Sequence, residues 1–243
     1  MEWEDRSIQT QLLASNFDGS IQTTVKANAT AGFSILTYTG NGSTATIGHG
    51  LGVAPKAVIV KRRSGSDNWQ VYWIGAGTER SGFLSLTNAF STGANTSYWG
   101  TSVPTSTVFS VANSTQTNGS SETYVAYVLS SVEGYSMFGE YTGNGSTDGM
   151  FVFTSFRPAW VMMKSTTLSS TGWLIYDTAR STFNEVTVVL QAHVSTAEVT
   201  AASIDILSNG FKFKTTDNAV NGSGQTYIYL AFAESPFKNT RAR

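Results

Sequence analysis

Internal repetition constrains the fold of this chain more than any other feature. Tyr38-Thr-Gly-Asn-Gly-Ser-Thr44 recurs as Tyr141-Thr-Gly-Asn-Gly-Ser-Thr147, 103 positions on. Pro55-Lys-Ala-Val58 aligns with Pro158-Ala-Trp-Val161, Lys61 with Lys164, and Trp69-Gln-Val-Tyr72 with Trp173-Leu-Ile-Tyr176. Thr123-Tyr-Val-Ala-Tyr-Val-Leu129 aligns with Thr226-Tyr-Ile-Tyr-Leu-Ala-Phe232, and the offset stays between 102 and 104 throughout. A period this long means two domain-sized units, not a solenoid of short repeats. The 243 residues then divide into an N-terminal arm or linker, residues 1–31, and two units, 32–133 and 134–243. Each unit, at roughly 100 residues, is large enough to bury a core of its own.

The local pattern in both units is that of strands. Phe33-Ser-Ile-Leu-Thr-Tyr38 is aromatic and β-branched, and Ala57-Val-Ile-Val60 is a short apolar run that suits a strand buried on both faces. Phe211-Lys-Phe-Lys214 alternates strictly, which predicts one buried face and one wet face. Asn-Gly pairs begin at Asn41, Asn118, Asn144, Asn209 and Asn221. Both residue types tolerate positive φ, so these pairs suit type I′ hairpin turns. Short strands at this spacing predict an all-β fold: two tandem antiparallel β-sandwich units, jelly-roll-like, behind the arm. Ser195-Thr-Ala-Glu198 has capping-box spacing ahead of Val199, which admits one short helix there.

Composition narrows the chemistry. Charged residues are 13% of the chain, about half the usual share, so neutral polar side chains must supply the wet surface. The net charge of −1 and the scattered basic residues give no footprint for nucleic acid. No cysteine is present, which removes disulfides, thiolate catalysis and Cys-based zinc sites. No apolar run approaches the ~20 residues of a membrane helix, and the acidic start, Met1 to Arg6, has no signal-peptide core. His49 and His193 lie in unlike settings, and there is no hydrolase elbow, P-loop or His-x-x-x-His pair. The residues shared by the two copies are turn formers and apolar core types. The expectation is therefore a chain with no catalytic residues, no metal site and no cofactor.

Two sets of residues remain as candidates for contact. Trp69, Tyr72, Trp173 and Tyr176 recur in both copies, which favours the core. Trp73 and Trp99 have no counterparts and are the better candidates for an exposed surface contact. In the arm, Leu12, Leu13, Ile21 and Val25 are apolar anchors in a polar segment, with a possible strand at Ser20-Ile-Gln-Thr-Thr-Val25. A short segment cannot bury such anchors alone, so the arm is expected to dock on another subunit by adding a strand to an exposed sheet edge.

Several stretches together resemble a module of tailed-bacteriophage virion proteins. They are Asn16-Phe-Asp-Gly-Ser-Ile-Gln-Thr-Thr-Val-Lys-Ala-Asn28, Ala31-Gly-Phe-Ser-Ile-Leu-Thr-Tyr-Thr-Gly40, Ile47-Gly-His-Gly-Leu-Gly-Val-Ala-Pro-Lys56, Val103-Pro-Thr-Ser-Thr-Val-Phe109 and Thr226-Tyr-Ile-Tyr-Leu-Ala-Phe-Ala-Glu234. The module occurs in tail-fibre-like and other appendage proteins of marine and freshwater phages, cyanophages among them. The resemblance implies a non-enzymatic structural protein of the virion, assembled in the host bacterial cytoplasm. A tail fibre, or a tail or collar appendage that meets a glycan or protein of the host surface, is the first reading. A capsid decoration protein is the alternative, and a glycan-degrading tailspike ranks third. The resemblance also implies a homotrimer in contact with other virion proteins.

Overall fold

The computed structural model describes residues 13–75, 79–93 and 95–235. The arm contributes β1 (Ala14–Asn16) and β2 (Thr23–Asn28). The first unit continues with β3 (Phe33–Thr39), β4 (Ala45–Gly48), β5 (Ala57–Arg62), β6 (Gln70–Ile74), β7 (Glu79–Phe83) and β8 (Ser91–Thr92). A four-residue helix, α1 (Thr96–Trp99), leads to β9 (Val108–Val111) and β10 (Thr123–Leu129). The second unit comprises β11 (Ser136–Thr142), β12 (Phe151–Phe153), β13 (Pro158–Ser165), β14 (Leu174–Asp177), β15 (Val186–Gln191), β16 (Val199–Leu207), β17 (Gly210–Phe213) and β18 (Thr226–Ala233).

The strand pairings are antiparallel and the architecture is all-β. In the first unit the main sheet runs β1-β2-β3-β10-β5-β6-β7-β8, and β4 and β9 form a separate two-stranded cover. In the second unit one sheet runs β11-β18-β13-β14-β15-β16-β17-β12. It folds over, so that the β12–β17 half covers the β11–β14 half and the unit approaches a barrel. The order β3-β10-β5-β6 matches β11-β18-β13-β14, and the pair β4–β9 matches β12–β17. Tyr124 lies opposite Tyr38, and Tyr227 opposite Tyr141, at the same register.

Each sandwich encloses its own core. Leu36, Val58, Val60, Tyr72, Trp99, Phe109 and Tyr124 meet in the first, and Val161, Met163, Tyr176, Ile204, Phe211 and Tyr227 in the second. Val58, Val60, Tyr124, Val161, Met163 and Tyr227, the recurrent apolar positions, are all fully buried. Phe211 and Phe213 are buried while Lys212 and Lys214 reach outward, as the alternation requires. A third cluster lies between the units. Ala57, Val71, Trp73 and Leu129 on the outer face of the first main sheet pack against Phe138, Met162, Trp173, Ile228 and Leu230 of the second. The double burial of Ala57–Val60 follows from that contact, because one face looks into the first core and the other toward the second unit.

Three local expectations give way. None of the five Asn-Gly pairs makes a type I′ hairpin, which requires positive φ at both turn positions; among the described residues no asparagine has positive φ. Gly40-Asn-Gly42 and Gly143-Asn-Gly145 instead carry the chain from the main sheet to the cover, with φ of +69° at Gly42 and +65° at Gly145. The segment after Ser195 is strand β16, not helix, because pairing with β15 and β17 buries Ile204 and Ile206. The arm docks on its own unit: β2 pairs with β3 along Thr24–Asn28, and Ile21 bridges Ile47 of β4.

Candidate functional site

Most of the recurrent polar residues turn out to be internal fasteners. Tyr38 and Tyr124 stack with ring centres 5.0 Å apart, and Tyr141 and Tyr227 stack at 4.9 Å. The Tyr124 hydroxyl accepts from Gly119 N–H at 2.7 Å and donates to Thr115 O at 2.7 Å. Tyr227 does the same with Gly222 N–H and Asn218 O. Asn118 accepts from Asn41 N–H and donates back to Asn41 Oδ1. Asn221 makes the same exchange with Asn144. The repeated Gly-Asn-Gly is therefore the far half of a two-loop clasp. Burial pushes the Tyr38 and Tyr141 hydroxyls well above 10, and the neighbouring tyrosine adds to the effect. These groups stay protonated and act as donors.

The lysines that recur are also structural. Lys61 donates to Gly65 O and Asp67 O, which fixes the turn after β5. Lys164 is fully buried and donates to Ser165 O at 2.8 Å, to Thr171 Oγ1 at 3.2 Å and to Thr87 O of the first unit at 3.4 Å. Loss of hydration brings its pKa down to about 8. Trp173 Nε1 donates to Phe83 O across the same junction at 2.8 Å, and Phe90 N–H to Thr166 O at 2.9 Å. Arg80 faces Glu140 at 3.6 Å, beside a cleft of about 210 Å³ whose walls include Lys56, Trp73, Phe138 and Glu140.

The two histidines lie in unlike settings. His49 is buried; its Nδ1 accepts from Leu51 N–H and its Nε2 donates to Thr105 O, both at 3.2 Å. Burial lowers its pKa, so the ring is neutral and ties two loops together. His193 lies over Gly172, and burial followed by the charge on Lys164 lowers its pKa as well. Among the described residues, no three His, Asp or Glu side chains converge as metal ligands would.

The tryptophans singled out for surface contact are both interior. Trp99 is 0% exposed, stacks on Tyr72 at 5.1 Å and donates to Ser81 Oγ at 2.9 Å. It is carried inward by α1, whose N-cap, Asn95, accepts from Ser97 N–H. Trp73 is 1% exposed because the second unit covers it. It lacks a counterpart since Asp177 holds that position in the other copy. Trp69, expected in the core, is half-buried and stacks on Tyr127.

In the arm, Ile21 and Val25 were expected on a neighbour but are buried in the first core. The edge they needed was supplied by β3 and β4 of the same chain. Leu13 is 68% exposed, and Leu12 lies outside the described residues. Among the exposed apolar residues that sequence reasoning passed over are three phenylalanines of the second unit, Phe151, Phe153 and Phe183. The pairings Ile47–Phe109 and Val152–Phe211 place Phe151 and Phe153 where the first unit has Thr46 and Gly48. In the ungapped alignment of the two copies, at the offset of 103, Phe151 and Phe153 stand against Gly48 and Gly50, so the change from small to aromatic was visible there.

A family model described as a domain of unknown function, DUF7483, matches residues 3–236. The chain belongs to that family. The match spans the arm and both units, so the duplicated pair is the family's unit of description. No curated protein matches the chain, and no solved structure does.

Proposed function

We propose that this chain is a non-enzymatic structural protein of a tailed-bacteriophage virion, a tail fibre or tail or collar appendage that meets the host surface. The observation that carries the reading is that the polar groups duplicated between the units are occupied in holding loops and sheets together. The tyrosine pairs and the two lysines bond backbone carbonyls and amides, and the asparagine clasps bond backbone groups and each other. Duplication has multiplied a rigid scaffold and no reactive group. The motif resemblance supplies the virion context, with other virion proteins and further copies of this chain, as a trimer, for partners. Phe151, Phe153 and Phe183, exposed on the second unit, are the side chains offered to a partner.

Antibody labelling of intact particles, read by electron microscopy, tests the reading. Label on the tail or collar supports it; label over the head surface turns it into the decoration reading; absence of the protein from purified particles ends it. Purified chain incubated with capsule or lipopolysaccharide from a susceptible host should release no oligosaccharide.

A further inference from the structure

The two sandwiches differ at one side. In the first, the gap between β3 and β4 is closed by residues 20–28: Ser20 exchanges hydrogen bonds with Thr46, Ile21 bridges Ile47, and Thr24–Asn28 pair with β3. In the second, the equivalent strands β11 and β12 are the two free ends of the folded sheet. Among the described residues no strand lies between them. The inward positions of β11 register this. Met137 and Gly139 are half-exposed, whereas Ser34 and Leu36, their equivalents on β3, are buried. Ser136 and Phe138 turn their amides away from β18, to Val132 O and Ser131 Oγ. By the two-residue alternation of a strand, Glu140 N–H and C=O face the same open side.

The sequence holds a second copy of the closing segment. Asp5-Arg-Ser-Ile-Gln-Thr-Gln-Leu12 matches Asp18-Gly-Ser-Ile-Gln-Thr-Thr-Val25 at an offset of 13, with Asp, Ser, Ile, Gln and Thr identical and Leu in place of Val. Ile21 and Val25 are the arm residues that enter the first core; Ile8 and Leu12 stand in their places. Transferring the register Thr24–Thr37 and Val25–Leu36 sets Gln11 opposite Glu140 and Leu12 opposite Gly139. The pairing would stop where the Ser131 cap begins. At the same offset Trp3 takes the place of Asn16, which sits over Gly48 so closely that a Cβ there would be 1.7 Å from its Oδ1. The equivalent of Gly48 is Phe153, 56% exposed, so the small pair in one unit becomes an aromatic pair in the other.

We propose that residues 5–12 of a second copy of this chain close the gap between β11 and β12. The segment of the same chain does not reach. Ala14 is fixed opposite Val25, and two residues span at most about 7 Å. Gly139 shares its cleft with Trp73 and Ile74 of β6, five strand positions from β1 in the sheet order, or about 24 Å at the usual spacing. Exchange between copies builds a closed ring, a reciprocal pair or a filament according to the rotation between neighbours. The inference rests on the fold and the second motif, and stands apart from the virion reading.

The test uses the full chain and a full-length double variant, Ile8→Asp with Leu12→Asp. Light scattering should show the parent associating and the variant monomeric. Amide exchange at Glu140 should be at least about tenfold slower in the parent, since a paired edge amide is protected and a free one is not. A synthetic peptide of residues 3–13 should restore that protection to the variant. Cross-links from the N-terminal segment to β11 in a mixture of isotope-labelled and unlabelled chains should join two chains. A monomeric parent with fast exchange at Glu140, association that survives the double substitution, or cross-links confined to one chain would each overturn the proposal.

Discussion

In the first unit, Leu36 on β3 is 1% exposed beneath the arm. In the second, Gly139 at the same register is half-exposed on an edge that no strand among the described residues covers. The loop clasps on the adjoining end of the two sandwiches nevertheless share the same tyrosine and asparagine exchanges. The difference teaches that the clasp and the closing strand are independent devices. Duplication copied the clasp, because Tyr124, Tyr38, Asn118 and Asn41 lie within the repeated stretch. It did not copy the strand, because residues 20–28 precede it. An exposed edge is a ready template for another strand, so the second unit differs from the first in what it leaves available.

The sharpest way to break the equivalence is to truncate the two central tyrosines. Tyr124→Ala and Tyr227→Ala each remove a ring that is 0% exposed, with both its hydrogen bonds. Each should lose about 3–5 kcal/mol in urea unfolding. Losses that differ by more than half would show that the two clasps are unequal in energy despite equal geometry.

Ile21→Ala combined with Val25→Ala should cost about 2–4 kcal/mol. The effect should be confined to the first unit, with amide exchange accelerated in β3 and β4 and unchanged in β11 and β12. Acceleration in both units would mean that the junction couples them more tightly than the clasps hold them apart.

Asn221→Ala should exceed Asn118→Ala, each lying within about 1–3 kcal/mol. Asn221 Nδ2 has an additional acceptor, Thr215 O at 2.8 Å, so more backbone is left unpaired. Equal losses would assign the energy to the Asn41 and Asn144 exchange alone.

The smallest expected effect concerns pH. Lys164 has its pKa lowered to about 8 in the folded chain, below an unfolded lysine near ~10.4. Between those values the unfolded chain binds the extra proton, so stability rises with pH across that window. Above about pH 10 the sign reverses, because buried tyrosines such as Tyr229, pushed up to about 12, hold their protons while unfolded tyrosines ionise. Lys164→Met should flatten the rise and leave the fall.

The fold was legible where a pattern repeats. The alternation in Phe211–Lys214, the apolar run Ala57–Val60 and the matched tyrosine strands all led to strands in the right places. The Asn-Gly pairs misled because a pair of residue types does not say whether its flanking strands are neighbours in one sheet. The loop at Asn41 joins two layers, and its partner, Asn118, lies 77 residues away. Trp73 misled for a related reason. A tryptophan without a counterpart reads as exposed only if each unit stands alone, and here the second unit covers it. Ile21 and Val25 were rightly picked as strand-adding anchors. Their acceptor was misjudged, since nothing in a linear sequence tells an edge on the same chain from an edge on another.

The junction between the units bears on how such a chain arose. The outer faces of β5, β6 and β10 meet those of β13, β14 and β18, which are the corresponding strands of the other copy. Like surface meets like surface. That is the relation expected when one gene encoded a single sandwich whose copies associated about a two-fold axis, before a tandem fusion joined them. Trp73 and Asp177 then record later drift at positions that symmetry no longer required to be identical. A half expressed alone would carry the old self-adhesive face uncovered, and its natural companion would be another copy of itself.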